Sequence, residues 1–379
     1  MQFVALGWLV IDLTGSPLDL GFMSASQAIA TIGFSLLGGV VADRMNRRRL
    51  IQVAQLGAAS CAAILSALVA FGAIELWHII VIAFAFGSFQ AFDHPSRQAL
   101  LPHLVPREDL MNAVALSSAV WQTSRIVGPS IAGILIATVG VATCFALTAM
   151  GFLTFVVAVS LIRVPSTHTR VAASMTLSRE LLTGFQHIGE NPLYRTLIGL
   201  SFFNAVFGLS YVVLMPAFAT DVLTLGPSGL GVLYSAAGIG ALAGTLLVAS
   251  LGDHQHKGSL VVWGAFGFGA LLITFSLITS FPISLGVLVI MGASTSVYMT
   301  TAATMIQERL DDRYRGRVMG IYGLTWSLMP LGGLQSGAIA SVLGVQTAIG
   351  IGGAAVVISA LVLARTKNRL SSPHIATAA

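Results

Sequence analysis

Long stretches without a charged residue dominate this chain and restrict what it can fold into. A membrane-spanning helix needs about 20 consecutive apolar residues. Several stretches meet or approach that length, and some are long enough for two spans joined by a turn. They are 20–42, 50–74, 76–92, 126–162, 196–220, 222–252, 258–307 and 318–364. Only 9% of the residues are charged, against about a quarter in a soluble domain. We therefore predict an all-α polytopic membrane protein.

The predicted spans divide into two halves of six. The first half takes spans near 1–13, 18–41, 50–71, 76–92, 111–137 and 141–162, and the second takes spans near 193–220, 229–251, 258–278, 283–306, 318–341 and 346–364. We expect domains at 1–162 and 193–364, a loop linker at 163–192 and a tail at 365–379. The first span is too short to cross a bilayer, so we expect the first helix to be truncated.

The two halves look like duplicates of one another. Positions 106–128 align with 311–333 at a constant offset of 205, which pairs Gly128 with Gly333. The segment around Asp43 pairs with the segment around Asp253 at an offset of 210. Internal repeats of this kind are typical of secondary transporters, in which the substrate site lies between the repeats.

The basic residues lie on one side of the predicted topology. Of the 19 lysines and arginines, 18 fall in alternate loops or in the tail. Cytoplasmic loops are enriched in these residues, so we expect these loops and the C-terminus to be cytoplasmic. This placement accounts for the net charge of +5, and we expect no nucleic acid partner. The scattered histidines and the lack of a phosphate-binding loop argue against a metal, a cofactor, direct use of ATP and an enzyme.

Six segments carry a resemblance to a known family. They are 8–17, 39–49, 94–102, 105–113, 125–129 and 315–319. Through them the chain resembles the major facilitator superfamily, and within it the bacterial branch of enterobactin- and macrolide-exporter-like proteins. The resemblance implies a major-facilitator-type fold of two pseudo-symmetric six-helix bundles in the bacterial inner membrane, and we expect a monomer. Asn46 stands where the family loop usually has glycine.

The loop after the second helix is the predicted cytoplasmic gate. Gly39 lets this helix approach a neighbour closely, and Asp43 can then face the N-terminal end of another helix, whose dipole favours a negative charge. The resemblance implies that this partner is helix 11, which follows Arg317. Such a contact forms only while the cytoplasmic side is closed, so it biases inward-facing against outward-facing states. The other predicted gating residues are Arg44, Arg47, Arg48, Asp93 and Asp253. Anchoring to anionic lipid is the alternative role of the arginines.

Arg125 is the one basic residue inside a predicted span. It lies about 14 residues into helix 5, near the bilayer midplane, where a buried guanidinium has to face the bundle interior. We expect it in a substrate cavity or an ion-pair network, with a structural contact between helices as the alternative. Asp12 is a candidate proton carrier or an exposed rim residue. Gly128, Pro129 and Gly133 resemble part of the helix 5 motif of proton-coupled antiporters, since proline kinks a helix and glycine permits close packing.

The predicted function is secondary active export of a small amphipathic molecule by alternating access, with protons as the coupling ion. Its partners are therefore a small-molecule substrate, protons and membrane lipids. One alternative is a facilitator or importer of a polar solute. A larger number of acidic residues within the membrane would favour this alternative, and this chain has few. The other is a membrane protein without transport activity, which the short first helix would favour.

Overall fold

The computed structural model describes residues 1–44, 46–162, 177–251, 257–310 and 312–365. Within these ranges the chain forms helices and short connections, without a strand. Eight helices in this part of the chain are long and apolar enough to cross a membrane. The predicted class, an all-α polytopic membrane protein, is confirmed.

Five helical stretches follow one another in the first half of the chain. They are α1 (Gln2–Thr14), α2 (Pro17–Arg44), α3 (Arg47–Ala70), α4 (Leu76–Leu100) and α5 (Leu110–Leu161). The last consists of two helices that meet at Gly140, whose φ of 86° and ψ of 165° are non-helical. Glycine adopts a positive φ without a steric penalty, and the predicted turn falls at this position. The first half therefore contains its six predicted helices.

Within the described residues of the second half, nine α-helices follow. They are α6 (Leu177–Glu190), α7 (Pro192–Phe203), α8 (Tyr211–Ala217), α9 (Pro227–Leu251), α10 (Lys257–Leu277), α11 (Phe281–Arg309), α12 (Asp312–Ser327), α13 (Met329–Leu343) and α14 (Val345–Arg365). Together with two π-helical segments, α7 and α8 make one span over Pro192–Val222. One predicted span is divided between α12 and α13, because Pro330 lacks an N–H and its ring clashes with the preceding turn.

The prediction of a loop linker is wrong over Leu177–Glu190, where the structure has α6. Its apolar positions include Leu177, Leu181, Phe185 and Ile188. Spacings of four, four and three residues are the sequence signal of an amphipathic helix, and the polar residues around them hid it. The rest of the predicted tail after Arg365 lies outside the described residues, as does 163–176.

The chain packs into two compact units. The first comprises Met1–Ser174, Val213–Ser235 and Gly333–Val345, and the second comprises Met175–Val212, Ala236–Gly332 and Gln346–Ala379. In the first unit α2 packs against α4 and α3 against α5, and in the second α10 packs against α11. The first unit therefore joins the first half of the chain to two short segments of the second half. The predicted division into domains at 1–162 and 193–364 stays a prediction.

Candidate functional site

Within the first unit, α5 and α9 cross at a pair of glycines. A Cβ atom placed on Gly133 would lie 2.6 Å from the carbonyl oxygen of Pro227 and 3.0 Å from the Cα atom of Gly231. A Cβ atom placed on Gly231 would lie 2.6 Å from the carbonyl oxygen of Pro129. Real Cβ atoms essentially never come within 3.0 Å of a heavy atom in another part of the structure. Any larger residue at either position would therefore have to move the two backbones apart.

Two serines join the same helices beside this crossing. The Ser235 hydroxyl donates a hydrogen bond of 2.7 Å to the carbonyl oxygen of Ile126. The Oγ atoms of Ser130 and Ser235 lie 2.5 Å apart. Neutral hydrogen bonds of this kind contribute about 0.5–1.5 kcal/mol each. Both hydrogen bonds are neutral, so neither of them leaves an unpaired charge if the two helices separate.

The helices α2 and α13 cross in the same manner, also within the first unit. A Cβ atom on Gly337 would lie 2.6 Å from the carbonyl oxygen of Pro17. A Cβ atom on Gly21 would lie 2.9 Å from the Cα atom of Leu334 and 3.0 Å from the carbonyl oxygen of Gly333. This crossing, like the first, brings backbone against backbone with no side chain between them.

The internal repeat relates these two crossings to each other. Gly21 and Gly231 are 210 residues apart, which is the offset that relates the two acidic loops of the sequence. Gly133 and Gly337 are 204 residues apart, one less than the offset found between the later segments. Sequence reasoning singled out Gly133 and missed its three counterparts, although the repeat offsets were a signal that could have found them.

The short helix α1 completes this group of contacts. A Cβ atom on Gly7 would lie 2.9 Å from Cγ of Pro216 in α8. The rings of Phe3 and Tyr234 meet edge to face with their centroids 5.9 Å apart. Two segments from the second half of the chain therefore pack against α1, α2 and α5. We call the α5–α9, α2–α13 and α1–α8 contacts together the three-crossing contact.

Arg125 lies on the side of α5 that faces away from the exposed apolar stripe. The stripe includes Val127 and Ile134, which are 44% and 57% exposed, whereas Arg125 shares its side with the buried Ala132. The structure leaves Arg125 exposed, and its expected place in a substrate cavity or an ion-pair network stays a prediction.

Asp93 pairs with Arg97 near the C-terminal end of α4. The Nε atom of Arg97 lies 2.7 Å from Oδ2 of Asp93, and its guanidinium carbon lies 4.0 Å from the centroid of the Phe155 ring. Asp93 is 5% exposed, and its Oδ1 atom is buried without a hydrogen-bond partner among the described residues. The sequence analysis listed Asp93 among the gating residues, and its part in gating stays a prediction.

The basic loop begins α3 with a side-chain cap. The Asn46 side chain accepts hydrogen bonds from the backbone N–H groups of Arg48 and Arg49, at 3.0 and 3.4 Å. Asparagine in place of glycine therefore supplies an N-cap, which satisfies two of the free donors of the helix. The Arg48 guanidinium donates to the carbonyl oxygen of Ser160, and Gln52 donates to the Ser160 hydroxyl at 2.7 Å. Arg48 thus joins α3 to the end of α5.

The other predicted site residues contribute less to the described structure. Arg47 is the first residue of α3 and is half-buried, and Asp12 is exposed in α1, as its rim alternative predicts. Asp253 lies outside the described residues. Four other gating candidates have side chains that are not among those the structure describes. They are Gly39, Asp43, Arg44 and Arg317. The predicted contact between Asp43 and helix 11 therefore stays a prediction.

Comparisons with known proteins show which family and which named proteins this chain is similar to. A family model described as "Transmembrane secretion effector" matches residues 1–375. Macrolide efflux protein A of Streptococcus pyogenes is 25% identical over 350 residues, which cover 90% of this chain and 86% of that protein. The enterobactin exporter of Shigella boydii serotype 4 is 27% identical over 322 residues, with 83% and 72% covered.

A solved structure shows the same fold. It is the inward-facing, unoccupied structure of a bacterial homologue of the human lysosomal transporter Spinster. The TM-score is 0.73 at 14% identity, with 97% of this chain and 93% of that chain covered. At this identity the likeness concerns the fold alone, and the predicted major-facilitator-type fold is confirmed.

Proposed function

The chain belongs to the transmembrane secretion effector family of major facilitator transporters, and we propose that it exports small amphipathic molecules by alternating access, driven by proton entry. The proposed location is the bacterial inner membrane, with the basic loops and the C-terminus in the cytoplasm and one chain as the working unit. Two relatives carry names of exporters, one for a macrolide and one for enterobactin. These names support export as the direction.

The observation that carries this proposal is the three-crossing contact. Its residues lie near the turns at Gly15, Gly140, Gly226 and Gly344, at the helix ends predicted to be extracytoplasmic. Alternating access requires a closure at one end of the transporter that forms and separates in each cycle. Contacts between glycines and backbone, with neutral hydrogen bonds beside them, suit such a closure because no buried charge has to be exposed when they part.

Arg125 is the residue on which we base a polar interior surface of α5, on the side opposite its exposed apolar stripe. It is turned away from the lipid-facing stripe of α5, and a guanidinium at this depth needs water, an acid or a substrate group as its partner. We place Arg125 in the proposed substrate cavity and Asp12 among the candidate proton carriers. Asp43 keeps its proposed role as the cytoplasmic gate.

Transport in proteoliposomes tests the function directly. We expect a fluorescent amphipathic dye, Hoechst 33342, to move against its gradient when an artificial pH gradient is imposed, and movement to stop when nigericin collapses that gradient. Equal dye flux with and without the gradient would favour a facilitator. Absence of flux in correctly folded protein would favour the alternative without transport activity.

Replacing Arg125 by alanine is expected to lower dye transport at least about tenfold, because a lost contact to a charged group is worth roughly 1.5–3 kcal/mol. The matched control is Arg49→Ala, since Arg49 is exposed at the start of α3. Initial transport rates, corrected for the amount of folded protein, measure both variants. Equal losses in the two variants would reject the cavity role of Arg125.

A further inference from the structure

The interior of the second unit holds polar side chains that have no hydrogen-bond partner among the described residues. Asn204 is 0% exposed, and both the oxygen and the nitrogen of its side chain are unpaired in this sense. The same is true of the hydroxyl groups of Tyr298 and Thr301, whose side chains are 0% and 2% exposed. Because most buried polar groups in proteins are hydrogen-bonded and an unpaired one costs free energy, these four atoms call for a partner.

Asn204 and Tyr298 approach the same face of α10. A Cβ atom on Gly208, one turn after Asn204, would lie 3.2 Å from Oδ1 of Asn204 and 2.7 Å from Cε1 of Phe268. A Cβ atom on Gly264 would lie 2.8 Å from Cβ of Tyr298. Gly264 and Phe268 are four residues apart in α10, so they lie one above the other on that helix. The two polar side chains are therefore neighbours in the interior of the second unit, at levels about one helical turn apart.

Hydroxyl groups on the adjoining helices complete this set. Thr301 follows Tyr298 by three residues in α11, so the two side chains lie on one face of that helix. The Tyr322 hydroxyl of α12 donates a hydrogen bond of 3.3 Å to a backbone carbonyl oxygen of α11, and it lies within hydrogen-bonding reach of the Ser201 side chain of α7. Ser201 precedes Asn204 by three residues. We call Ser201, Asn204, Tyr298, Thr301 and Tyr322 the polar cluster of the second unit.

The backbone that carries Asn204 is irregular at the same place. Asn204–Gly208 is π-helical, and the N–H of Leu209 donates a hydrogen bond of 2.8 Å to the carbonyl oxygen of Asn204, five residues earlier. Turns of this kind are rare and often lie at functional sites. A π-helical turn beside unpaired polar atoms therefore agrees with a bound molecule in the interior of the bundle.

The chemistry of the polar cluster matches water. An amide accepts through its oxygen and donates through its nitrogen, and a hydroxyl can do either. Water is the small molecule that donates and accepts at once, and a buried water typically makes about three hydrogen bonds to otherwise unpaired groups. A hard cation is usually bound by carboxylates, and the five members of the cluster include none. The side chains of Asn204 and Thr301 are not held by a hydrogen bond to a described residue, so they can turn to admit water.

We propose that the polar cluster of the second unit binds ordered water, which pairs with Asn204, Tyr298 and Thr301 and joins α7 to α11 in the interior of the bundle. The water is part of the folded structure, because it satisfies polar atoms that the helices leave unpaired. The proposal goes beyond export, and it does not depend on transport because it concerns packing within one unit.

Radiolytic footprinting of the native protein tests the proposal. Hydroxyl radicals that X-rays generate from a bound water oxidise the side chain beside it, even where bulk solvent has no access. We expect Tyr298 to be oxidised in the complete protein in proteoliposomes. The matched control is Phe145 of α5, an aromatic side chain that is likewise 0% exposed and has no polar atom. Oxidation of Tyr298 no faster than that of Phe145 would overturn the proposal.

A conservative substitution gives an independent measurement. Tyr298→Phe keeps the ring and removes the hydroxyl, so with water bound it loses a hydrogen bond and should unfold at a lower temperature than the unmodified protein. Tyr322→Phe is the control, because it removes a hydroxyl that already has a protein acceptor and should be destabilising in either case. In a dry cluster, Tyr298→Phe removes an unpaired buried group and relieves its cost. An unfolding temperature of Tyr298→Phe equal to or above that of the unmodified protein would contradict bound water.

Discussion

Replacing Gly133 by leucine is expected to hold the α5–α9 crossing open and to reduce dye export at least about fivefold. A Cβ atom at this position already meets the carbonyl oxygen of Pro227 at 2.6 Å, so a leucine side chain has no space while the helices touch. Overpacking typically costs about 1–3 kcal/mol, and each 1.4 kcal/mol changes a conformational equilibrium about tenfold. Spin labels at the exposed Val139 and Ser228 should report a longer distance between α5 and α9 in the variant.

The control for this prediction is the same substitution elsewhere on α5. Gly151 has no atom within 4 Å of its Cβ position, so Gly151→Leu should leave both the distance and the transport unchanged. Asp43→Asn supplies the opposite perturbation, because loss of the proposed cytoplasmic gate favours the inward-facing state, in which the α5–α9 crossing is closed. An unchanged distance and normal transport in Gly133→Leu would show that the crossing does not open during the cycle.

Arg97→Ala is expected to destabilise the protein by roughly 3 kcal/mol, because removal of one partner leaves a buried charge without compensation. The estimate takes the low end of the usual range, since the Arg97 side chain is 41% exposed whereas that of Asp93 is 8% exposed. The variant also loses the contact of the guanidinium with the Phe155 ring. Thermal unfolding in detergent, followed by the amount of monodisperse protein that remains, measures the effect.

A double substitution separates the ion pair from general damage to α4. Asp93→Asn with Arg97→Gln removes both charges at once, so it should be more stable than Arg97→Ala alone. The double-mutant cycle built from the single variants Asp93→Asn and Arg97→Gln should give a coupling energy well above zero. As a control for loss of an exposed arginine, Arg49→Ala should unfold at the temperature of the unmodified protein. Strict additivity of the two single effects would contradict a specific pair.

The helices were largely predictable because the bilayer sets their length. Predicted spans such as 229–251 and 258–278 differ from α9 and α10 by one or two residues. The break at Gly140 falls in the predicted turn because the chain has to reverse there. The linker helix α6 was missed, since it lies among polar residues and is too short to cross a bilayer. Its spacing of apolar residues was nevertheless visible in the sequence.

Close contacts between helices were less predictable, because the presence of a glycine in the sequence does not show whether another backbone packs against it. The chain contains 40 glycines, and Gly133 and Gly151 lie on the same helical stretch. Only the packing shows that Gly133 meets another backbone and that Gly151 has open space around it. The exposure of Arg125 depends on packing in the same way, because the sequence placed it inside a span without showing which side chains surround it.

The amino-acid sequence by itself determined that this chain is a membrane protein and where most of its long apolar helices begin and end. These properties follow from the lengths of the apolar runs, which a local reading of the chain can measure. Only the tertiary structure decided which helices cross, that Gly21 meets α13 and Gly231 meets α5, and that Arg97 lies against the ring of Phe155. Such contacts depend on which backbone approaches which, and residues far apart in the chain set that approach together.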